Sequence, residues 1–245
     1  IGHQMKTGFA KDGIDVSAVE LDPKLPTGIA IIYVSDEGEN SIGISAEANG
    51  ALTPAVVKSH EAMLAAAHTL LLQLEVPLES VLEAARLARA HGTRVVLNPA
   101  PARPLSSELL ALVDLITPNQ TEAELLTGVK VTDEASAAEA AARFHQMGIG
   151  EVMITLGSQG VYCSKGQQQA LIPGFRVKAV DTTAAGDTFN GALLAAELAG
   201  ADFDAAVRFA HGAAALSVTR FGAQSSIPSK QEVDAFLLEQ TAQGH

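Results

Sequence analysis

Two aspartates bracket a run of small residues at 181–187 (Asp-Thr-Thr-Ala-Ala-Gly-Asp), and an apolar helical stretch follows directly. Small residues let the backbone come close to a ligand, and the free N–H groups of a first helical turn attract anions. A carboxylate fixed beside such an anion site suits phosphoryl transfer, because it can take the proton of the attacking hydroxyl. An Asp-capped helix after a turn would have the same residues. The motif by itself leaves both interpretations open.

The chain from Thr69 onward alternates between short apolar runs and helical patterns, which would position this motif. Nearly continuous apolar strands separated by helices are typical of a parallel sheet covered on both faces, so we predict a doubly wound α/β fold. The predicted strands are 70–74, 94–97, 115–118 and 151–155. The predicted helices run from Pro77 to Gly92, from Ser106 to Val113, from the capping box Thr121-x-x-Glu124 to Gly128, and onward from the capping box Ser136-x-x-Glu139.

Two regions depart from this alternation. Residues 28–35 and 40–45 are extended segments joined by the turn-like residues 36–39, which predicts a projecting β-hairpin. Later in the chain, short apolar segments predict strands of an antiparallel sheet edge at 161–164, 169–172 and 175–180. Two further helices are expected at 204–219 and from the capped Ser229-x-x-Glu232 to Leu238.

Polar and glycine-containing segments follow the predicted strands, at the edge where open α/β sheets bind ligands. Asn119 could donate to a phosphate, and Glu122 could hold Mg²⁺ through water, as magnesium favours. Glycines in 155–160 allow close backbone approach to a nucleotide, Glu75 could recognise a hydroxyl, and 98–103 would border the cleft. Each segment also has a structural explanation, as an acidic first turn, a proline-fixed loop or a tight connection. Together they favour one cleft, and without G-x-x-x-x-G-K-[ST] it is not that of a P-loop enzyme.

Composition limits the classes of protein and partner. The 245 residues are 47% hydrophobic, which is ample for a core in one large domain or two small ones. A net charge of −12 argues against a nucleic-acid or anionic-membrane partner. The longest apolar stretch, 62–74, is too short to span a bilayer. The single Cys163, in a predicted strand, favours an ordinary buried thiol in a reducing cytoplasm.

The stretch 181–192 resembles the C-terminal signature of the ribokinase family of carbohydrate kinases. The other motifs occur in the order typical of that family, so the similarity covers essentially the whole chain. These motifs are Gln73-Leu-Glu75, Asn98-Pro-Ala-Pro-Ala-Arg103, Thr117-Pro-Asn119-x-x-Glu122, Thr155-Leu-Gly-Ser-x-Gly160, Phe209-Ala-His211 and Thr219-Arg-x-Gly-Ala-Gln224.

The resemblance implies a fold, a reaction and a site. It implies one ribokinase-like domain over 1–245, with a partial lid hairpin at 28–45 and a nucleotide-binding and catalytic core at 69–245. The implied reaction is ATP-dependent phosphorylation of D-ribose at O5, with Asp187 as base and Glu75 contacting the sugar. The implied anion hole is the N–H groups of Ala184, Ala185 and Gly186. The implied ATP positions are Asn119, Thr155, Leu156, Gly157, Ser158, Gln159, Gly160, Gly186 and His211. Glu122 would serve Mg²⁺, and a K⁺ site would comprise Asp181, Thr183, Ser217, Arg220, Gly222 and Ser226.

The start of the chain departs from the family pattern. It begins at Ile1, and the family's N-terminal sugar-binding motif and Gly-Gly-Lys-Gly-Ala-Asn loop are not found in it. We therefore expect an incomplete chain that lacks most sugar contacts. The homodimer expected of a full-length parent is in doubt for the same reason. Alternatives are a kinase of the same family acting on another sugar, a deoxyribose or a nucleoside, and a non-catalytic truncated fragment.

Overall fold

The computed structural model describes residues 1–34 and 40–242. Their contacts divide the chain into two units, Ile1–Pro101 and Ala102–His245. The turn residues 36–39 of the predicted hairpin lie outside the described residues.

The first unit contains the predicted hairpin and the first two strands of the alternating region. β1 and β2 pair antiparallel from Ile29↔Ser45 to Val34↔Asn40, which confirms the hairpin. β3 and β4 pair in parallel, and Val95, Val96 and Leu97 are fully buried. The elements are α1 (Gly2–Lys11), β1 (Ile29–Val34), β2 (Asn40–Ser45), α2 (Pro54–Ser59), α3 (Glu61–Ala66), β3 (Thr69–Leu72), α4 (Leu78–Ala90) and β4 (Arg94–Leu97).

The second unit contains four strands and six helices among its described residues. β5 and β6 are parallel, whereas β6, β7 and β8 pair antiparallel in chain order, as expected for the sheet edge. Strands of both senses flanked by helices confirm the α/β prediction. The elements are α5 (Ser107–Leu112), β5 (Leu115–Ile116), α6 (Gln120–Thr127), α7 (Glu134–Gln146), β6 (Glu151–Thr155), β7 (Gly160–Lys165), β8 (Gln168–Pro173), α8 (Ala185–Leu198), α9 (Phe203–Ser217) and α10 (Lys230–Ala242).

Both predicted capping boxes before α6 and α7 were wrong by two or three residues. α6 is capped by Asn119, whose side chain accepts from the Glu122 N–H, and not by Thr121. α7 is capped by Asp133, with Ser136 in the third helical position rather than at the cap. In both cases an earlier Asn or Asp has a partner three residues further on, and that earlier frame begins the helix.

The predicted strand at 175–180 was also wrong, because these residues have no regular secondary structure. β8 ends at Pro173, which has no N–H to continue a ladder. At the far end of the segment the Val180 N–H donates to the Val218 carbonyl at 2.7 Å, just past α9. The segment therefore leaves the sheet and runs toward the end of a helix.

Candidate active site

A cavity of about 490 Å³ lies in the second unit where several connecting segments meet. The β5–α6 turn, the β6–β7 turn, the first turn of α8 and the inner side of α9 all contribute to its wall. The structure thus brings together motifs that are far apart in the sequence. The lining residues are Asn119, Gln120, Thr121, Thr155, Gly157, Ser158, Phe175, Val177, Ala179, Thr182, Ala185, Gly186, Phe189, His211, Ala214, Ala215 and Val218.

The β5–α6 turn is held by a reciprocal capping box. Asn119 Oδ1 accepts from the Glu122 N–H, and Glu122 Oε2 accepts from the Asn119 N–H, both at 2.8 Å. The turn is also tied to β6, since the Thr155 N–H donates to the Pro118 carbonyl at 3.0 Å. The cap uses only the oxygen of the Asn119 amide and leaves its nitrogen out of the cap, so the predicted contact of Asn119 with a phosphate stays a prediction.

The β6–β7 turn is closed by its own backbone and by a histidine from α9. The Leu156 N–H donates to the Gly160 carbonyl at 2.8 Å, and Gly157 and Gly160 both have positive φ. His211 Nε2 lies 3.1 Å from the Gly157 carbonyl. Burial lowers the pKa of His211, so the neutral ring donates its Nε2–H to that carbonyl. The Nδ1 atom of His211 is buried without a hydrogen-bond partner among the described residues, so it is an acceptor within the wall.

An apolar part of the wall was missed by the site prediction. Phe175, Val177 and Ala179 line the cavity from the irregular segment after β8, and Ala214 and Ala215 line it from α9. The alternation of residues 175–179 did carry a signal, because every second residue is apolar and lines the cavity. It was interpreted as a strand rather than as a cavity wall.

The first turn of α8 forms the end of the cavity that carries the Asp-bracketed motif. α8 has Ala184 at its N-cap in the left-handed region (φ 59°), and no side chain caps it, so the Asp-capped-helix interpretation is wrong. The Thr188 N–H donates to Ala184 and the Ala185 N–H to Thr182, the latter at 3.3 Å. Gly186 lines the cavity. The N–H of Gly186, one of the three predicted anion-hole groups, would therefore be available to an anion in the cavity. The neighbouring Ala185 N–H makes only the long hydrogen bond to Thr182.

Asp187 lies on the other side of the same turn. It lines an adjoining groove of about 820 Å³ between α8, α9 and α10. The carboxylate is partly open to solvent, yet the protein atoms around it desolvate it and raise its pKa. Burial also raises the pKa of Glu122, and the nearby charge of Asp187 adds to that rise. The two carboxylates are thus close enough for the charge of one to affect the pKa of the other.

Asp181 joins the loop before α8 to the loop after α9. Its carboxylate accepts from the N–H groups of Thr183 at 2.9 Å and Gly222 at 3.0 Å. Ser217 and Ser226 are fully buried, and the Arg220 guanidinium donates to Glu232 of α10 at 2.6 Å. Five of the six residues of the predicted cation site therefore lie in two loops that one carboxylate holds together, and Ser217 is the last residue of α9. The side chain of Arg220 is directed to α10.

Two predicted segments belong to the first unit. Glu75 is exposed, and its N–H donates to Gln73 Oε1 at 2.7 Å, so its contact with a sugar stays a prediction. In the 98–103 loop, Asn98 is buried. Across residues 1–34 and 40–242, no group of three or more His, Cys, Asp or Glu side chains could hold a metal ion. None of the helices in the described ranges is long and apolar enough to cross a membrane.

A cavity at the ends of sheet strands, closed by a helix first turn with a carboxylate beside it, defines the class of protein as a phosphotransferase. The comparisons with known proteins specify the family. The model of the pfkB family of carbohydrate kinases matches residues 1–230, and the chain belongs to this family.

Individual relatives agree with the family. The chain is 53% identical over 237 residues to the ribokinase of Haemophilus influenzae, covering 97% of this chain and 78% of that protein. The crystal structure of Thermotoga maritima ribokinase matches with a TM-score of 0.85 at 39% identity, covering 96% of this chain and 77% of that one. The structure of Arabidopsis thaliana ribokinase complexed with ribose and ATP matches with a TM-score of 0.81 at 32% identity, covering 87% and 70%.

Proposed function

We propose that this protein is an ATP-dependent kinase that transfers a phosphoryl group to O5 of D-ribose, with D-ribose 5-phosphate and ADP as products. The observation that carries the proposal is the position of Gly186 and Asp187 on one helical turn, at the end of a cavity large enough for a nucleotide. The names of the relatives above, and the ribose and ATP in the Arabidopsis structure, support the choice of substrates.

The proposed nucleotide site uses the two chemically different parts of the cavity. The apolar wall of Phe175, Val177 and Ala215 suits the flat base, which binds by burial and stacking. Ser158 and Asn119 line the same cavity, and their side chains would supply polar donors for the sugar and phosphates. His211, which holds the Gly157 carbonyl, keeps the glycine turn in the shape that lines the cavity.

In the proposed transfer, Asp187 takes the proton of the ribose 5-hydroxyl while O5 of the ribose forms a bond to the γ-phosphorus of ATP. The bond from that phosphorus to the bridging oxygen breaks, and ADP leaves with those electrons. The N–H of Gly186 and the positive end of α8 stabilise the charge on the transferring group. Asp187 acts as a base only in its ionised form. Its raised pKa makes that ionised form a stronger base than an ordinary aspartate.

Two cations fit the residues present. Glu122, a buried carboxylate near Asp187, would hold Mg²⁺ through water, and the ion would neutralise charge on the ATP phosphates. Asp181, Thr183, Ser217, Arg220, Gly222 and Ser226 would hold K⁺ with carboxylate, hydroxyl and backbone oxygens. That oxygen donor set suits a hard cation, and a charge there would stabilise the loop before α8.

We further infer a cytoplasmic location and a homodimer for the gene product at its full encoded length. The single cysteine is a buried thiol, as suits a reducing compartment. Ile29, Ile31 and Tyr33 project from one face of the hairpin and are 49%, 55% and 64% exposed, which favours a partner surface.

A coupled assay of ADP release tests the proposal in the gene product at its full encoded length. D-ribose, 2-deoxy-D-ribose and a nucleoside would be compared at saturating Mg·ATP, in K⁺ and in matched Na⁺. We expect the highest kcat/KM for D-ribose, and a higher rate in K⁺ than in Na⁺. Faster phosphorylation of deoxyribose or a nucleoside would contradict the assignment of the sugar. Equal rates in K⁺ and Na⁺ would contradict the choice of cation alone.

A further inference from the structure

Two buried polar side chains next to the site have no part in the function proposed above. Thr117 follows β5 and is 2% exposed, and Asn190 lies in the second turn of α8 and is 3% exposed. The Thr117 hydroxyl donates to Asn190 Oδ1 at 2.7 Å across 73 residues of sequence. Asn190 Nδ2 in turn donates to the carbonyl of Gly186 at 2.9 Å. The amide therefore links the end of a strand to the first turn of α8.

The composition of α8 explains why the helix needs a contact that fixes its rotation about its own axis. From Phe189 onward the helix is Ala, Leu and Gly on nearly every side, with Asn190 and Glu197 as its polar residues. A helix that is apolar all round can be buried in several rotations about its axis, since each rotation presents similar surface. A buried amide removes that freedom, because any other rotation would separate Asn190 Oδ1 from the Thr117 hydroxyl and leave that acceptor unpaired in the interior. Single buried Asn residues fix register in coiled coils by the same physics.

We propose that Asn190 and Thr117 are positioning residues, which set the rotation of α8 and thereby aim the N–H of Gly186 and the carboxylate of Asp187. This inference rests on the proposed function. Asn190 follows Asp187 by three residues and Gly186 by four, so all three lie within about one helical turn. Thr117 precedes Asn119 by two residues. The link therefore fixes the base and the anion-binding turn relative to the capping box of Asn119 and Glu122.

The consequence for catalysis is large because the rate depends strongly on the position of the catalytic groups. A misplacement of about 1 Å at a catalytic group can cost about 100-fold in rate. Neither Thr117 nor Asn190 lines the cavity, so loss of their link should act on turnover more than on nucleotide affinity.

The test replaces the Thr117 hydroxyl and compares kcat with KM. Thr117→Val keeps the shape and removes the donor, whereas Thr117→Ser keeps the donor. Ser164→Ala is the matched control, because Ser164 is also 2% exposed and would lose a part-buried hydrogen bond to His145, and neither residue lines the cavity. For Thr117→Val we expect kcat for ribose to fall by about tenfold or more, with KM for ATP within about threefold. Thr117→Ser and Ser164→Ala should keep kcat within about threefold of the wild type.

Two results would overturn the inference. One is a kcat for Thr117→Val within about threefold of the wild type, and the other is an equal loss of kcat in Ser164→Ala, which would show a general loss of stability. Amide hydrogen exchange at residues 184–188 supplies a second measurement that needs no activity. Faster exchange in Thr117→Val than in Ser164→Ala supports the positioning role, and equal exchange contradicts it. A wild-type protein without ribose kinase activity would contradict the proposed function, while the exchange result would still decide whether Thr117 orders the turn.

Discussion

The carboxylate of Asp181 accepts a hydrogen bond from the N–H of Gly222, 41 residues further along the chain, at 3.0 Å. Its other oxygen accepts from Thr183, so one side chain joins the loop that precedes α8 to the loop that follows α9. Hydrogen bonds from Thr183 and from Gly222 favour the ionised form and lower the pKa of Asp181. The loop before the phosphate-binding turn is thus ordered by a charge that is present at neutral pH.

Replacement of Asp181 by Asn is expected to loosen both loops. An amide can accept one of the two N–H groups, but its own NH₂ would face the other donor, so a bond is lost. The melting temperature should fall at neutral pH. Since the folded-state pKa of Asp181 lies below its ordinary value of 3.8, this difference should be present above pH 3.8 and shrink as the pH drops below it. Asp202→Asn is the control, because Asp202 caps α9 and Asn caps equally well. A melting temperature unchanged from the control would show that Asp181 does not order the loops.

Replacement of Asp187 by Asn should abolish base catalysis and spare the nucleotide site. General-base catalysis contributes about 10²–10⁴-fold, so kcat for ribose should fall by a factor in that range. ATP affinity, measured by titration calorimetry, should change little, since Asp187 lies outside the nucleotide cavity. Asp204→Asn, an exposed change at the start of α9, should keep normal turnover. Near-normal turnover in Asp187→Asn would exclude its role as the base.

The pH profile of kcat should report the same carboxyl group. Protein atoms around Asp187 raise its pKa above 3.8, and the base acts when it is ionised. The rate should therefore rise with pH through a midpoint above 3.8 and reach a plateau. This acidic limb should be absent from the residual activity of Asp187→Asn. An identical limb in the two proteins would assign it to another group.

Glu122 should cost stability at neutral pH, which is an ordinary sign of a functional carboxylate. Burial, opposed by the bond from Asn119 and helped by the charge of Asp187, raises its pKa above 4.5. Ionisation of Glu122 therefore destabilises the folded state as the pH rises through that folded-state pKa. Glu122→Gln cannot ionise, so it avoids this loss of stability, and the Gln side chain can still complete the capping box. Urea denaturation should show the variant to be more stable at pH 7.5, with the gain lost below about pH 4.5. Glu124→Gln, exposed on the same helix, should show no such gain.

Overlapping capping boxes show what the sequence could and could not predict about the site. Asn119 and Glu122 were recognised as site residues, yet the helix start was placed at Thr121, two residues later. Both frames have a cap residue followed three positions later by an acid, so spacing alone could not choose between them. The choice depends on where β5 ends, because Pro118 and the bond from Thr155 fix the backbone at the cap. That information is tertiary.

Gly174 should tolerate no side chain. A Cβ there would lie 2.6 Å from the Ser158 carbonyl oxygen, 2.8 Å from the Gly160 nitrogen and 2.9 Å from His211 Cε1. Gly174→Ala should therefore displace the β6–β7 turn, raise KM for ATP and destabilise the protein by about 1–3 kcal/mol, as overpacking does. Gly150→Ala is the control, because its Cβ would lie at an ordinary 3.7 Å from the Asp114 carbonyl oxygen. An unchanged KM in Gly174→Ala would mean that the turn does not contact the nucleotide.

The segment 175–180 shows the opposite limit. Its alternation correctly marks Phe175, Val177 and Ala179 as one apolar face, and the structure places that face on the cavity. Alternation cannot tell whether a neighbouring strand is available, and here Pro173 ends the ladder. The sequence is enough to predict that this face is apolar. Whether the segment pairs with a strand or lines a cavity depends on the tertiary fold.

The burial of Cys163 has a practical consequence for labelling experiments on this protein. It is the single cysteine of the chain, and burial raises its pKa to about 12. At pH 8 about one thiol in 10⁴ is then a thiolate, and access to it is blocked by the surrounding core. In a Tyr33→Cys variant, at a position that is 64% exposed, a maleimide dye would react with the new cysteine and not with Cys163. The wild-type background is thus already suited to labelling the hairpin at one site and following it by fluorescence as substrates bind.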